Sequence, residues 1–308
     1  MKSAPEKLST AFCTSLNNYM DRIADGWQDY QCLYAGNGLK IERWQDFILS
    51  RPDPLAIWPL PPIAIKIDAS YQRSNRGGGC WQYQRKLPDF WSVNYRQLRF
   101  KVSTLGFKHT GLFPEQAANW DSLTTLIQQN HHKKLQILNL FAYTGAATLA
   151  CAAAGATEVV HVDASKGMVQ WAKENAELSQ LSDRRIRFIV DDCFKFLQRE
   201  QRRGRKYQGI IMDPPSYGRG PNNEIWKFDN QINELLSAAS QLLADDALFF
   251  LVNSYSAGYS ATVLANIFQA NETLMSHFKT QESGELLLPI SRQNITLPAG
   301  IYGLASND

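Results

Sequence analysis

Residues 213–217 (DPPSY) combine the residue types that can hold a planar acceptor group for a reaction. They follow an apolar run, 207–212, that is typical of a buried strand. The two prolines fix the backbone and carry no N–H, so the carbonyl oxygens of the segment are predicted to be free to accept hydrogen bonds from an amino group. The serine or the tyrosine can then position or stack the acceptor. A tight turn without a catalytic role is the alternative interpretation.

A second segment, 135–155, has the pattern of a strand, a tight turn and a helix. Its apolar run ends at Ala142-Tyr143-Thr144-Gly145, and an alanine-rich stretch with helical spacing follows. A helix start presents unpaired N–H groups, and glycine lets a ligand approach the main chain. The pattern therefore predicts a cofactor site, although many units of this kind bind nothing.

Acidic residues end the next predicted strands. The run 157–162 is followed by Asp163, the run 186–190 by Asp191 and Asp192, and the run 207–212 by Asp213. The carboxyl ends of parallel strands meet at one edge of an open sheet, where ligands bind. An acid at the tip of the second strand can accept hydrogen bonds from both hydroxyls of a ribose.

As an ordered set, these segments resemble the class I S-adenosylmethionine (SAM) dependent methyltransferases, and most closely the bacterial large-subunit ribosomal RNA methyltransferase group. NLFAYTG (139–145) matches the first motif, Asp163 the ribose-binding acid, DDCFKFL (191–197) the adenine-holding segment and DPPSYGRG (213–220) the active-site loop. KHTGLFPEQ (108–116) is similar to a segment that closes over the cofactor. The resemblance covers roughly residues 108 to 305.

This resemblance implies SAM as the cofactor and RNA as the substrate. It implies that the cofactor is bound by Thr110, Phe113, Gln116, Asn139, Phe141, Tyr143, Gly145, Asp163, Ala164, Asp192 and Cys193. It implies that the catalytic segment consists of Asp213, Pro214, Pro215, Ser216 and Tyr217.

The cysteines argue against several kinds of chemistry. The five cysteines contain no C-x-x-C pair, which argues against a zinc site and a disulfide framework, so no metal is expected. RNA cytosine-5 methyltransferases use a cysteine nucleophile after the fourth or fifth strand, and neither 213–216 nor 252–256 contains one. Direct transfer to a nitrogen or oxygen is therefore predicted.

The composition is that of a globular protein, with 308 residues and a net charge of +3. No apolar run is long enough to cross a bilayer and residues 1–14 lack the apolar core of a signal peptide, so a cytoplasmic protein without a membrane partner is expected. Nine basic and two acidic residues lie between Leu60 and Thr110, interleaved with aromatic residues, which suits phosphate contacts and base stacking. For the aromatic residues alone, a place in the core is the preferred interpretation. No segment matches the PUA-type RNA-binding module of some relatives.

The order of elements predicts an α/β fold in two parts: a Rossmann-like methyltransferase domain (109–308) with a mostly parallel seven-stranded sheet, after a small, mainly antiparallel β domain (27–108). One of the last two strands is expected to be antiparallel. The spacing of apolar residues predicts an amphipathic helix over 3–24, within an N-terminal region 1–26, that packs on another domain or on a second subunit, as in a homodimer. Strands are also expected at 63–67 and 81–85, after a proline-rich connector at 51–62.

Other functions remain open at this point. A dinucleotide-dependent oxidoreductase is disfavoured because Gly145 stands alone where G-x-G-x-x-G is expected. A non-catalytic RNA-binding protein is disfavoured because Asp163, Asp192 and the DPP segment are present. The sequence hardly distinguishes a methyltransferase that acts on RNA from one that acts on a protein or a small molecule.

Overall fold

The structure is a computed structural model, and it describes residues 18–74, 78–104, 106, 108–219, 225–255 and 258–307. The strands are β1 (Asn18–Tyr19), β2 (Arg22–Ile23), β3 (Tyr30–Gly36), β4 (Leu39–Trp44), β5 (Phe47–Pro52), β6 (Ala69–Arg73), β7 (Gly79–Tyr83), β8 (Trp91–Tyr95), β9 (Leu98–Val102), β10 (Gln136–Leu140), β11 (Glu158–Asp163), β12 (Ile186–Val190), β13 (Gly209–Met212), β14 (Tyr217–Arg219), β15 (Ile225–Lys227), β16 (Phe249–Ser254), β17 (Thr280–Ile290) and β18 (Ile295–Ser306). The helices are α1 (Ala117–Gln129), α2 (Ala146–Ala154), α3 (Lys166–Leu178), α4 (Cys193–Arg202), α5 (Phe228–Ser240), α6 (Ala261–Gln269) and α7 (Glu272–His277), with a 3₁₀ turn at Pro114–Gln116.

The C-terminal part forms a sheet with the strand order β12-β11-β10-β13-β16-β18-β17. The first five of these strands are mutually parallel, and β18 runs antiparallel to both of its neighbours. The expected seven-stranded, mostly parallel sheet with one antiparallel strand is therefore confirmed.

The central strands are apolar because helices cover both faces of the sheet. Every residue of β13 and β16 is buried, as expected for strands of a parallel sheet. Alternate residues enter different clusters: Leu138, Ile210 and Phe250 pack with α4, α5 and α6. Ile137 and Ile211 pack on the other face with α1 and α2. Because these strands run parallel, their carboxyl ends meet at one edge of the sheet, which is the edge where ligands bind in such folds.

Three helices begin at that edge with defined starts. The Ser165 hydroxyl accepts a hydrogen bond from the Met168 N–H at the start of α3, and the Asp192 carboxylate accepts one from the Lys195 N–H at the start of α4. Gly145, with φ of 88°, precedes α2. A Cβ there would lie 2.9 Å from the Ala172 Cβ, so both the backbone angle and the packing favour glycine.

The same sheet continues into the N-terminal strands. Ile290 of β17 pairs with Cys32 of β3, and the order continues β3-β4-β5-β6-β7. The separate hairpin β8-β9 docks on α3, where the Lys101 N–H donates to the Asn175 side chain over 2.8 Å. The division into domains at 26 and 108 stays a prediction.

Most aromatic residues of the N-terminal part are structural. Trp27, Tyr30, Trp44 and Tyr95 contact one another edge-on or tilted, with ring centroids between 4.5 and 5.8 Å apart. Tyr83 and Phe90 are exceptions, because about half of each side chain is exposed.

Two predicted elements are wrong where the structure describes them. Residues 18–24 form β1 and β2 beside β17, and the Met20 and Ala24 N–H groups donate to the carbonyls of Ser283 and Leu287; residues 3–17 lie outside the described range. Hydrogen bonding to the open edge of β17 stabilises this stretch as strands, and it outweighs the preference for a helix that the spacing of the apolar residues indicates. The stretch 63–67 is not a strand either, because β5 pairs with Ala69 and Ser70 of β6 instead.

Candidate functional site

A cavity of about 1010 Å³ lies at the carboxyl edge of the parallel strands. Ligand pockets in proteins typically measure about 300–1,000 Å³, so this one has room for a cofactor and an acceptor side by side. Its described walls come from the motif loops at the strand ends, from the segment before α1, from the N-terminal strands and from β18. Of the predicted site residues, it is lined by Phe113, Phe141, Tyr143, Asp163, Ala164, Asp192, Cys193, Asp213, Pro214, Pro215 and Ser216.

Asp163 is held in place by the backbone of the loops around it. One carboxylate oxygen accepts the Tyr143 N–H over 2.9 Å and the other accepts the Ser165 N–H over 2.8 Å. Burial raises the pKa of Asp163, and these two hydrogen bonds counteract part of that effect. Each oxygen keeps a further lone pair for a hydroxyl donor, so the geometry fits a ribose.

The first-motif loop has an unusual backbone. Phe141 and Tyr143 adopt φ of 53° and 49°, the left-handed region that such side chains rarely occupy. The Phe141 N–H donates to the Cys193 sulfur over 3.3 Å, and the Cys193 thiol lies 4.0 Å from the Val162 carbonyl oxygen. Strained residues of this kind cluster at binding sites. Burial raises the pKa of the Cys193 thiol, so it acts here as a protonated structural group.

The segment 108–116 covers the cavity through Phe113. The Phe113 ring lies between Tyr143 and Tyr255, with centroids 5.5 and 5.2 Å away. The Thr144 hydroxyl donates to the Gly111 carbonyl over 2.7 Å, which ties this segment to the first-motif loop. A Cβ at Gly111 would lie 2.3 Å from the Trp171 ring, so only glycine permits this close approach.

Five predicted site residues do not line the cavity: Thr110, Gln116, Asn139, Gly145 and Tyr217. The Asn139 amide donates to the buried Thr148 hydroxyl. The Gln116 amide donates to the Tyr255 hydroxyl over 2.7 Å, so it supports a residue that does line the cavity. Thr110 is fully buried, and about half of the Tyr217 side chain is exposed outside the cavity. Their assigned roles stay predictions.

A short hairpin, β14-β15, closes the opposite side of the cavity after the DPP segment. The Trp226 indole N–H donates to the Pro215 carbonyl over 2.5 Å, and its ring lies 5.7 Å from Phe141. The prediction that the carbonyls of this segment are free is therefore wrong for Pro215, which accepts from a tryptophan distant in sequence, and for Ser216, which accepts the Phe228 N–H over 3.1 Å.

Asp213 and Glu115 line the same cavity. Burial raises the pKa of Asp213 to about 7, and the nearby Glu115 charge contributes. Burial also raises the pKa of Glu115. The Tyr255 hydroxyl interacts with Glu115, and burial raises the pKa of Tyr255 well above its usual value, so it stays a donor. Neither Glu115 nor Tyr255 was among the predicted site residues, although Glu115 lies in the segment 108–116. Only the docking of this segment brings the two residues together at the cavity.

The N-terminal strands and the start of the segment 108–116 contribute a cationic wall, which we define as Lys40, Arg51, Arg73 and Lys108. Glu42 holds Arg51 through two hydrogen bonds of 2.6 and 2.7 Å, and Asp53 lies 3.2 Å from the Lys40 amine. Burial lowers the pKa of Lys108 to about 8, and the three other cations add to this effect. Such a wall favours an anionic group in the cavity.

The fold and the strand-end site define a class I methyltransferase architecture. The sequence profile of S-adenosylmethionine-dependent methyltransferases matches residues 70–258, which is more than half of the chain. The chain therefore belongs to the S-adenosylmethionine-dependent methyltransferase family.

Relatives and solved structures agree with this assignment. A ribosomal RNA large subunit methyltransferase K of Neisseria meningitidis serogroup B is 30% identical over 237 residues, which cover 71% of this chain and 64% of the relative. A ribosomal RNA large subunit methyltransferase K/L of Shewanella frigidimarina is 30% identical over 216 residues, which cover 69% of this chain but only 28% of the relative. The chain thus spans less than two thirds of the length of each of these relatives.

The crystal structure of a SAM-dependent methyltransferase from Agrobacterium tumefaciens superposes with a TM-score of 0.86 at 31% identity, over 94% of both chains. A second structure, assigned as a methyltransferase and solved with SAH, superposes with a TM-score of 0.67 at 18% identity. The match covers 91% of this chain and 76% of the other chain, and it shows a shared fold. No helix in the described ranges is long and apolar enough to span a membrane.

Proposed function

We propose that the protein transfers a methyl group from SAM to a nitrogen or oxygen of RNA, and that the RNA is ribosomal and the reaction cytoplasmic. One observation carries the proposal. A single cavity holds Asp163 and the strained first-motif loop at one end and the Asp213-Pro214-Pro215 loop at the other. The names of the relatives from Neisseria and Shewanella support ribosomal RNA as the substrate class.

The residues at the cofactor end fit SAM. The Asp163 carboxylate has spare lone pairs for ribose hydroxyls, and Asp192 stands at the next strand end. Bound SAM supplies a methyl group that is already activated by the positive sulfur. The protein must therefore align an acceptor with that methyl group and exclude water. Phe113, Tyr143 and Tyr255 form the apolar cover that excludes water.

The acceptor end fits a nucleotide. The Trp226 and Phe141 rings offer flat apolar surfaces beside the DPP loop, which suit an unstacked base. The cationic wall lines the same cavity, where it can contact a phosphate of the RNA. Aromatic surfaces next to basic groups are the combination that single-stranded nucleic acids require.

The test is methyl transfer by the purified protein from labelled SAM to total cellular RNA, compared with a protein extract and a small-molecule fraction. We expect label in RNA, and its loss with Asp163→Ala. The control is Asp183→Ala, which removes an exposed carboxylate after α3. Label in the protein or small-molecule fraction alone would contradict RNA as the substrate, and no transfer to any fraction would contradict the activity.

A further inference from the structure

Glu115 is buried in a way that calls for a ligand. Only 3% of the residue is exposed, yet it lines the cavity, and its Oε2 atom has no hydrogen-bond partner among the described residues. Leaving a buried polar oxygen unpaired costs about 1–3 kcal/mol, and more when the group is charged. Buried polar groups without partners are rare for this reason. A donor that enters the cavity would remove this cost.

The backbone around Glu115 holds the carboxyl group in position. It is the middle residue of the 3₁₀ turn Pro114–Gln116, and the Trp27 indole N–H donates to the Pro114 carbonyl over 2.9 Å. The Gln116 side chain donates to Tyr255 and accepts from the Asn119 amide. Both flanking residues are thus anchored, so the Glu115 side chain is directed into the cavity by a rigid turn.

Asp213 provides a second carboxyl group in the same cavity. It follows β13, and its side chain makes no hydrogen bond within the described residues. Burial raises its pKa to about 7, and the charge of Glu115 adds to this effect. Near neutral pH Asp213 therefore exchanges a proton easily.

The other charged groups near Glu115 are largely compensated. Lys40 and Arg51 lower its pKa and Glu42 raises it. Arg51 is bound by Glu42, and Lys40 by Asp53. Tyr255 remains a protonated donor. The unpaired acceptor capacity at this end of the cavity therefore belongs to Glu115 and Asp213.

We propose that Glu115 is a second catalytic residue, which together with Asp213 binds the two N–H groups of an exocyclic amino group on the acceptor base and accepts the proton that this group loses. The inference rests on the proposed transfer to RNA and names the acceptor within it. Two acceptors that each receive one N–H hold the NH₂ group in a fixed plane and leave its lone pair, perpendicular to that plane, open to the methyl group. A ring nitrogen that carries no hydrogen would instead turn its lone pair toward the carboxylates.

The step is balanced without a further reactant. The nitrogen lone pair forms the new N–CH₃ bond while the S–CH₃ bond breaks and its electrons stay on sulfur. The positive charge passes to the nitrogen, and one N–H proton moves to the carboxylate pair. The products are a neutral methylamino group, SAH and a protonated carboxyl group, which returns the proton to water when the cavity opens.

The first test compares Glu115→Gln with the wild type in single-turnover transfer to the RNA that the wild type labels. The change keeps the size of the side chain but removes the proton acceptor, and acid–base groups contribute about 100-fold or more. We expect a loss of at least about 100-fold in rate, with SAM affinity unchanged in calorimetry. Glu115→Asp should recover part of the rate. Glu234→Gln, an exposed change on α5, should match the wild type.

The pH profile separates this role from a structural one. The wild-type rate should rise with pH through about 7, where Asp213 loses its proton. In Glu115→Gln the negative charge beside Asp213 is removed, so the pKa of Asp213 should fall. The rise in rate should therefore occur at lower pH than in the wild type. A Glu115→Gln rate within about threefold of the wild type, or an unchanged midpoint of the rise, would overturn the proposal.

The identity of the product tests the proposal on the wild type alone, so it does not depend on the folding of any variant. Mass spectrometry of the digested RNA should show a nucleoside methylated on an exocyclic amino group. A methyl group on a ring nitrogen that carries no proton, or on a ribose hydroxyl, would overturn the role of Glu115 while leaving RNA methylation intact. No label in RNA at all would contradict the proposed function itself.

Discussion

Asp213 lowers the stability of the folded protein near neutral pH, although we propose that methyl transfer requires it. Its pKa of about 7 in the folded protein lies well above its ordinary value of 3.8. Such a group binds its proton more tightly when folded, so its contribution to stability is complete below about pH 4 and is lost as pH rises through about 7. The site thus retains a carboxyl group that weakens the fold near neutral pH, as is common for active-site residues.

Asp213→Asn should therefore stabilise the protein while it abolishes methyl transfer. The variant removes the buried charge, and the shift of about 3 pKa units corresponds to a gain of at most about 4 kcal/mol at pH 8. Melting temperatures or urea midpoints of both proteins at pH 4.5 and pH 8 provide the measurement. The advantage of the variant should be larger at pH 8. An equal difference at both pH values would show that Asp213 has an ordinary pKa.

Asp163 anchors the cofactor loop as well as any ribose. Asp163→Ala should weaken SAM binding by about 1–3 kcal/mol, because the hydroxyls of a closed site lose their acceptor. The Tyr143 and Ser165 N–H groups also lose theirs. Asp163→Asn keeps one oxygen and should fall between the alanine variant and the wild type in calorimetry. Unchanged SAM affinity in both variants would place the ribose elsewhere.

At the scale of elements, the hairpin β14-β15 connects the catalytic loop to the cofactor loop. Its Trp226 binds the Pro215 carbonyl and packs beside Phe141. The position of the DPP loop therefore depends on Trp226, which lies in the second strand of the hairpin that follows the loop. The loop and the hairpin therefore form one unit, and we propose that this unit holds the acceptor.

Two substitutions separate the functions of Trp226. Trp226→Phe removes the bond to Pro215 and should reduce kcat roughly fivefold, which corresponds to about 1 kcal/mol for a lost hydrogen bond. Trp226→Ala also removes the ring, so it should reduce kcat further and raise KM for RNA. Steady-state kinetics with a labelled RNA provide the measurement. Equal kinetics in both variants and the wild type would show that the hairpin has no part in holding the acceptor.

Local sequence patterns identified the elements that form the sheet, since strand ends and helix starts depend on neighbouring residues. Asp163, Asp192 and Asp213 line the cavity because each follows a predicted strand. Glu115 was not identified, because its place depends on how 108–116 docks on Tyr255 and Thr144. The strand expected at 63–67 does not form. β propensity alone does not produce a strand, and the neighbouring edge of β5 pairs with Ala69 and Ser70 instead.

At the scale of the whole molecule, the parallel sheet and the N-terminal strands that line the cavity are continuous. The pairing of Ile290 with Cys32 joins them. Lys40 and Arg51 enter the cavity from β4 and β5, and Arg73 from β6. The N-terminal strands therefore form a wall of the active site in addition to their own aromatic core.

This arrangement changes which cations are expected to bind RNA. Arg85 pairs with Asp68 at 2.7 Å and lies over the Phe47 ring, so it has a structural role, and Arg76 lies outside the described residues. Arg73 and Lys108 line the cavity, and no ion pair holds either of them within the described ranges. These two residues are the ones available to a phosphate.

Arg73→Glu and Lys108→Glu together should weaken RNA binding and flatten its dependence on salt, while SAM affinity stays the same. Each phosphate contact on a single strand contributes a slope of roughly −0.7 to the plot of log K against log salt, so losing two contacts should reduce the slope by about 1.4. Lys133→Glu and Lys134→Glu together are the matched control, because they make the same charge change on an exposed loop before β10, at the opposite edge of the sheet. Fluorescence titration of RNA at several salt concentrations gives the slopes. If the double variant and the control have the same slope as the wild type, the cationic wall contacts no phosphate, and a small-molecule or protein acceptor becomes the better interpretation of this cavity.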